Sequence, residues 1–162
     1  MKIEIREILK KDNLKIKEVL VSVMNEFGVP DEGTAMQDEE LNFMFESYQD
    51  KNSKYYIVLA DNFISGGAGI SKLKGTKENI CELQKMYFLP NIRRLGIGSK
   101  LISICLDFAK KSEYKYCYIE TMYNMINAQN LYKKNGFIEL NHPLGDTGHS
   151  SCPVWMKLKL WI

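Results

Sequence analysis

The chain has 162 residues, enough for one domain with a proper core, and 45% of them are apolar against 26% charged, an ordinary globular balance. A net charge of +2 supplies no broad basic field for nucleic acid, and no apolar run reaches the roughly 20 residues that a membrane-spanning helix needs. The opening MKIEIREILKKDN alternates charged and apolar residues and is no signal peptide, so a cytoplasmic location is expected. The four cysteines, Cys81, Cys105, Cys117 and Cys152, are scattered without a CxxC pair and are expected to be reduced and buried. Two histidines, His142 and His149, make no histidine-rich metal site, and no metal is expected.

Residues 2–8 alternate Ile3 and Ile5 with Lys2, Glu4 and Arg6, which predicts a first strand. Asp12 or Asn13 is placed to cap the next helix, where Leu14, Ile16, Val19, Leu20, Val23, Met24 and Phe27 recur at helical spacing until Gly28-Val29-Pro30. The stripe Leu41, Met44, Phe45 and Tyr48 predicts a second helix over residues 38–49. Its other face and the loop before it carry Asp31, Glu32, Asp38, Glu39, Glu40 and Glu46, either a solvated face or an acidic lip that attracts an amine. Residues 55–60, the turn Asp61-Asn62 and residues 63–73 predict a hairpin. Gly66, Gly67 and Gly69 inside its second strand point to a bulge or to close packing of another backbone. A central strand over residues 80–89 ends at Pro90, and a helix follows over residues 95–111. Then come a strand at 114–120, a helix at 124–135 closed by Asn135-Gly136, a strand at 137–140, a turn-rich loop at 141–151 and a last strand at 152–160. No repeat or linker interrupts the order β α α β β β α β α β β, so a single domain over residues 1–162 is expected.

The most informative stretch is Arg93-Arg94-Leu95-Gly96-Ile97-Gly98-Ser99, a glycine-broken loop between the central strand and an apolar helix. A helix start leaves backbone N–H groups unpaired and carries partial positive charge, glycines allow close approach, and arginines add charge. That combination suits a phosphate or pyrophosphate. A P-loop needs GxxxxGK[ST], which is absent. A dinucleotide fingerprint needs a third glycine where Leu101 stands, and an acidic residue earlier than Glu120. The second informative stretch is residues 124–137, NMINAQNLYKKNGF.

Arg93-x-x-Gly96-x-Gly98 resembles the pyrophosphate loop of the GNAT superfamily of N-acetyltransferases, (Gln/Arg)-x-x-Gly-x-(Gly/Ala). Ala128, Leu131-Tyr132 and Gly136-Phe137 resemble that family's NxxAxxLYxxxGF signature, in the expected order. The family's asparagine falls at Met125, so its contact is absent or supplied by Asn124 or Asn127. The resemblance implies an α/β (α+β) fold, with a GNAT-like mixed central sheet of six to seven strands and flanking helices. It implies acetyl-CoA as co-substrate, its pantetheine arm against Met86, Tyr87 and Phe88. The diphosphate would lie on the amides of Arg94, Leu95, Gly96, Ile97, Gly98 and Ser99, with the Arg93 and Arg94 side chains nearby.

By the same resemblance Glu82 is the base that takes the amine proton, through water, and Tyr132 is the acid that protonates the departing thiolate. A carboxylate of ordinary pKa, near 4.3, serves as a base only if burial raises it or if the proton leaves along water. No activating partner is visible beside any cysteine, so no covalent enzyme intermediate is expected. His149 is either solvated or part of the amine pocket, and Trp155 and Trp161 are read as packing residues. The expected activity is transfer from acetyl-CoA to a primary amine, on a small molecule or a peptide, by direct attack. The competing reading is a catalytically silent acyl-CoA-binding module. A homodimer through the C-terminal strands is the family's habit.

Overall fold

The computed structural model describes residues 1–161. Seven strands form one sheet: β1 (Ile3–Glu7), β2 (Lys54–Ala60), β3 (Phe63–Lys72), β4 (Ile80–Phe88), β5 (Tyr116–Thr121), β6 (Ile138–Glu139) and β7 (Val154–Lys159). Their spatial order is β1-β2-β3-β4-β5-β7-β6, and every neighbouring pair is antiparallel except β4 and β5. The helices are α1 (Asn13–Glu26), the single turn α2 (Met44–Ser47), α3 (Ile97–Lys111) and α4 (Ile126–Lys134). The expected mixed sheet with flanking helices is therefore present.

Alternation along β2 shows how the sequence fills both faces. Tyr55, Ile57 and Leu59 join a buried cluster with Ile16, Leu20 and Met24 of α1. Val58 and Ala60 point the other way, into a cluster with Leu101, Ile102 and Cys105 of α3 and Tyr132 of α4. Asp61 and Asn62 both have positive φ (48° and 70°), the two-residue hairpin turn whose twist matches the strands. The β3 glycines leave room for neighbours: an added Cβ at Gly67 or Gly69 would lie 2.6 or 2.5 Å from the Tyr55 ring. The Tyr55 hydroxyl crosses the sheet there and donates to the Lys85 carbonyl at 2.8 Å.

Two local expectations are corrected. Residues 38–49 do not form one helix: after a 3-10 turn at Ala35–Gln37 they hold a second, Glu39–Asn42, and then α2. Asp38 is extended (φ −64°, ψ 121°) and Phe43 leaves the helical region (φ −139°, ψ 49°), so the ladder breaks at both. Leu41, Met44 and Tyr48 are still buried, so the apolar stripe reports burial and not a continuous helix. Neither Asp12 nor Asn13 caps α1 through its side chain. Asp12 instead accepts from the Leu9 amide (2.7 Å) and from Arg6 (2.8 Å), and Asn13 accepts from the Phe45 amide at the start of α2 (2.8 Å).

Candidate active site

The site grows from one irregularity. β4 and β5 pair only at Ile80, Cys81 and Glu82, opposite Tyr116, Cys117 and Tyr118. Beyond Glu82 the two parallel strands diverge, and the β5-facing edge of residues 83–88 has no ladder partner. On its other edge β4 bulges: Gly67 faces Tyr87 and Gly69 faces Gln84, with Lys85 at φ +50°. An open strand edge beside a bulge leaves N–H and C=O groups for an extended ligand.

At the wide end of this opening α3 begins. The backbone amides of residues 94–99 donate to no acceptor among the described residues. Gly96 starts the helix at φ +75°, a conformation costly for other residues. At Gly98 an added Cβ would lie 3.0 Å from Leu131 and 3.6 and 3.7 Å from Phe88 and Met86, so a small residue here lets the turn pack closely over the strand end. The loop thus has the features of an anion cradle. The two arginines part company. Arg93 Nε donates to the Phe88 carbonyl (2.9 Å), its guanidinium pairs with Glu26 through both nitrogens, and it lies 5.2 Å from the Phe27 ring centre. Arg94, at φ +62°, is exposed and makes no ion pair among the described residues. Asn124 is held by the Phe27 carbonyl (2.7 Å), Met125 is buried, and Asn127 is exposed.

Glu82 lies at the narrow end of the opening and is only 5% exposed. Burial is the main cause that pushes its carboxyl up to about 7, assisted by Glu120 and opposed by the Gln84 hydrogen bond, His149 and Lys85. The condition for a working base, a raised pKa, is met by its surroundings. Gln84 Nε2 donates to Glu82 at 2.7 Å, and the Tyr48 hydroxyl donates to Gln84 Oε1 at 2.7 Å, so the carboxylate is oriented. A cavity of about 40 Å³ adjoins it, lined among others by Glu82, Tyr87, Glu120, His149 and Cys152. That volume has room for on the order of three water molecules.

Tyr132 is 3% exposed, with its ring 5.9 Å from that of Phe137. Burial drives its phenol well above the ordinary range, so it keeps its proton at any working pH. It belongs to the buried cluster that also holds Cys105 of α3 and Cys117 of β5.

The loop after β6 closes over the cavity. His149 Nε2 lies 2.8 Å from Asp38, whose other oxygen takes Lys85 Nζ at 2.7 Å. The His149 pKa is raised by its bond to Asp38 against the effect of burial, and His149 and Lys85 hold the Asp38 carboxyl down, also against burial. The Ser151 amide donates to the Gly33 carbonyl (2.8 Å), and Thr147 donates to Glu120 (2.8 Å). His149 is largely buried and lines the cavity beside Glu82. Cys152 has His149 and Glu120 beside it, but no hydrogen bond joins its Sγ to the imidazole among the described residues. Gln84, Tyr48, Lys85 and Glu120 were not among the sequence candidates, whereas Asp38 was part of the possible acidic lip and here pairs with Lys85 and His149. Of the four, only Gln84 had a local signal, two residues after Glu82 on the same strand face.

Residues 17–137 match the acetyltransferase (GNAT) family. The chain belongs to that family. An uncharacterized N-acetyltransferase of Escherichia coli K12, YjgM, is 36% identical over 156 residues, covering 96% of this chain and 93% of the relative. The crystal structure of a GNAT acetyltransferase from Staphylococcus aureus has the same fold, with a TM-score of 0.86 at 23% identity over 99% of this chain and 100% of that one. The structure of yncA from Salmonella typhimurium, solved with acetyl-CoA, has a TM-score of 0.77 at 16% identity over 98% and 94% of the two chains. The recognition made from the two motifs is thus borne out, and the protein is an acetyltransferase of the acetyl-CoA-dependent class.

Proposed function

We propose that this GNAT protein transfers the acetyl group of acetyl-CoA to a primary amine by direct attack, with Glu82 as base and Tyr132 as acid. The observation that carries the reading is the pairing of a neutral-range carboxyl at Glu82 with a cavity large enough for water, at the point where β4 leaves β5. The free amides of residues 94–99, the glycine-lined turn at Gly98 and the unpaired edge of Met86, Tyr87 and Phe88 suit the diphosphate and pantetheine of acetyl-CoA. Arg94 is the side chain available to the phosphates, whereas Arg93 holds the loop to α1. Asn127 is the asparagine left to meet the ligand, since Asn124 already binds Phe27. Glu82 takes the amine proton through water, and Tyr132 donates its phenolic proton to the departing thiolate. Holding donor and acceptor together supplies several kcal/mol of the barrier. The protein works in the cytoplasm as one domain on a small or peptide amine.

A silent acyl-CoA-binding role finds support in Tyr132 alone, whose deep packing against Phe137 fits a core residue. Incubation with acetyl-CoA and a panel of amines, read by mass spectrometry, separates the two. An acetylated amine together with free CoA establishes transfer. Calorimetric binding of acetyl-CoA without product from any amine would leave the silent module.

A further inference from the structure

The cavity beside Glu82 holds a second constellation that acetyl transfer does not use. A carboxylate oxygen of Glu120, a ring nitrogen of His149 and Sγ of Cys152 all lie within 4.8 Å of one another. They come from β5 and from two points of the closing loop. Two of the three are already oriented. Asp38 holds His149, and Tyr118 and Thr147 donate to Glu120 at 3.0 and 2.8 Å. Cys152 is 8% exposed.

Two chemistries use a thiol, an imidazole and a carboxylate: a nucleophilic triad and a metal site. The triad needs a thiolate at neutral pH. Sγ makes no hydrogen bond to the imidazole among the described residues, and His149 is committed to Asp38. Burial, with Glu120, Glu82 and Asp38 nearby, pushes the Cys152 thiol up to about 12, the direction opposite to activation. A bound cation reverses this logic, because it takes the place of the thiol proton and offsets the same carboxylates. Thiolate, imidazole and carboxylate together are a borderline-soft set suited to zinc, and three protein ligands leave a fourth position for water. A carboxylate behind the histidine is the usual orienting partner of a metal ligand.

We propose that Glu120, His149 and Cys152 bind one divalent ion of the zinc class in the wall of the acceptor cavity. Binding releases to solvent the Cys152 proton, and the second ring proton of His149 where the imidazole is charged; the thiolate, the neutral imidazole and the ionised Glu120 carboxylate then ligate the ion. The ion ties the closing loop to β5 and fills space beside Glu82. On the acetyltransferase reading it is an inhibitor of amine entry; the binding site itself does not depend on that reading.

The test uses the full chain, reduced, stripped with chelator and titrated with zinc by calorimetry, with cobalt as the spectroscopic probe. The expected result is one ion per chain and a near-ultraviolet thiolate-to-cobalt band. Cys152→Ser should abolish the band and weaken zinc binding by about a hundredfold or more. His142→Ala, at the exposed histidine, should change neither. Circular dichroism checks that Cys152→Ser is folded; should it not be, Glu120→Gln carries the same affinity comparison. Failure of the wild type to bind zinc, or equal binding by the wild type and the ligand variants, overturns the site. Where an acceptor amine is known, zinc should inhibit the wild type reversibly and spare Cys152→Ser. Absence of any acetyl transfer would remove only the inhibitory role, since calorimetry and the cobalt band judge the site without it.

Discussion

Exchange of Glu82 for Gln should lower activity and raise stability together. The side chain keeps its size and its place beside Gln84 but cannot accept a proton. General-base catalysis contributes about 10²- to 10⁴-fold, so kcat/KM on the best amine should fall by that factor. In the wild type the Glu82 carboxyl, raised to about 7, must be ionised to act. Rate should therefore rise with pH through about 7 and level off above it, with roughly a tenth of the plateau rate one unit below the midpoint. The charged groups that set this midpoint are Glu120, His149 and Lys85. The stability sign follows from proton counting. Between the unfolded value near 4.5 and the folded value near 7, the folded state holds the proton that the unfolded state has lost. Wild-type stability thus falls as pH rises through that window, by about 3 kcal/mol in all. Gln carries no such cost, so the variant should match the wild type near pH 4.5 and gain on it up to neutrality. Free CoA release, followed with a thiol reagent in chelator-treated buffer, reads the rate, and urea unfolding at several pH values reads the stability. A variant within about threefold of wild-type kcat/KM, with the same pH inflection, would refute the base assignment.

Tyr132→Phe should keep acetyl-CoA affinity by calorimetry and lose about 10²-fold in turnover; unchanged turnover would return Tyr132 to a packing role. Arg94→Ala should weaken acetyl-CoA binding about tenfold, whereas Arg93→Ala should affect it less, because the Arg93 guanidinium already belongs to Glu26 and Phe88. Equal losses from the two would show that Arg93 leaves Glu26 when ligand binds. Gly98→Val should weaken acetyl-CoA binding at least about tenfold by calorimetry while the protein stays folded, since its side chain would press on Leu131, Phe88 and Met86 and lift the loop from the strand end.

Local pattern determined much of this protein. The alternation in residues 55–60, the Asp61-Asn62 turn, the arginine–glycine loop and the LY…GF run each depend on neighbours a few residues apart, and each stands in the structure where the sequence puts it. Glu82 and Tyr132 were also nameable, because each sits at a set distance from such a motif. Tertiary structure decided the rest. The stripe from Leu41 to Tyr48 could not report that Asp38 is drawn out of helical geometry toward Lys85, 47 residues on, and His149, 111 residues on. Nor could the loop motif tell its two arginines apart, since Glu26 is 67 residues from Arg93. The raised pKa of Glu82 comes from burial by distant segments, which no local pattern encodes. Glu120, His149 and Cys152 likewise have no motif spacing. They meet only because β7 returns beside β5 and the loop before it folds over the diverging strands. Hydrogen bonds and apolar periodicity act along the chain and can be read there, whereas burial and charge proximity depend on which remote segments pack together.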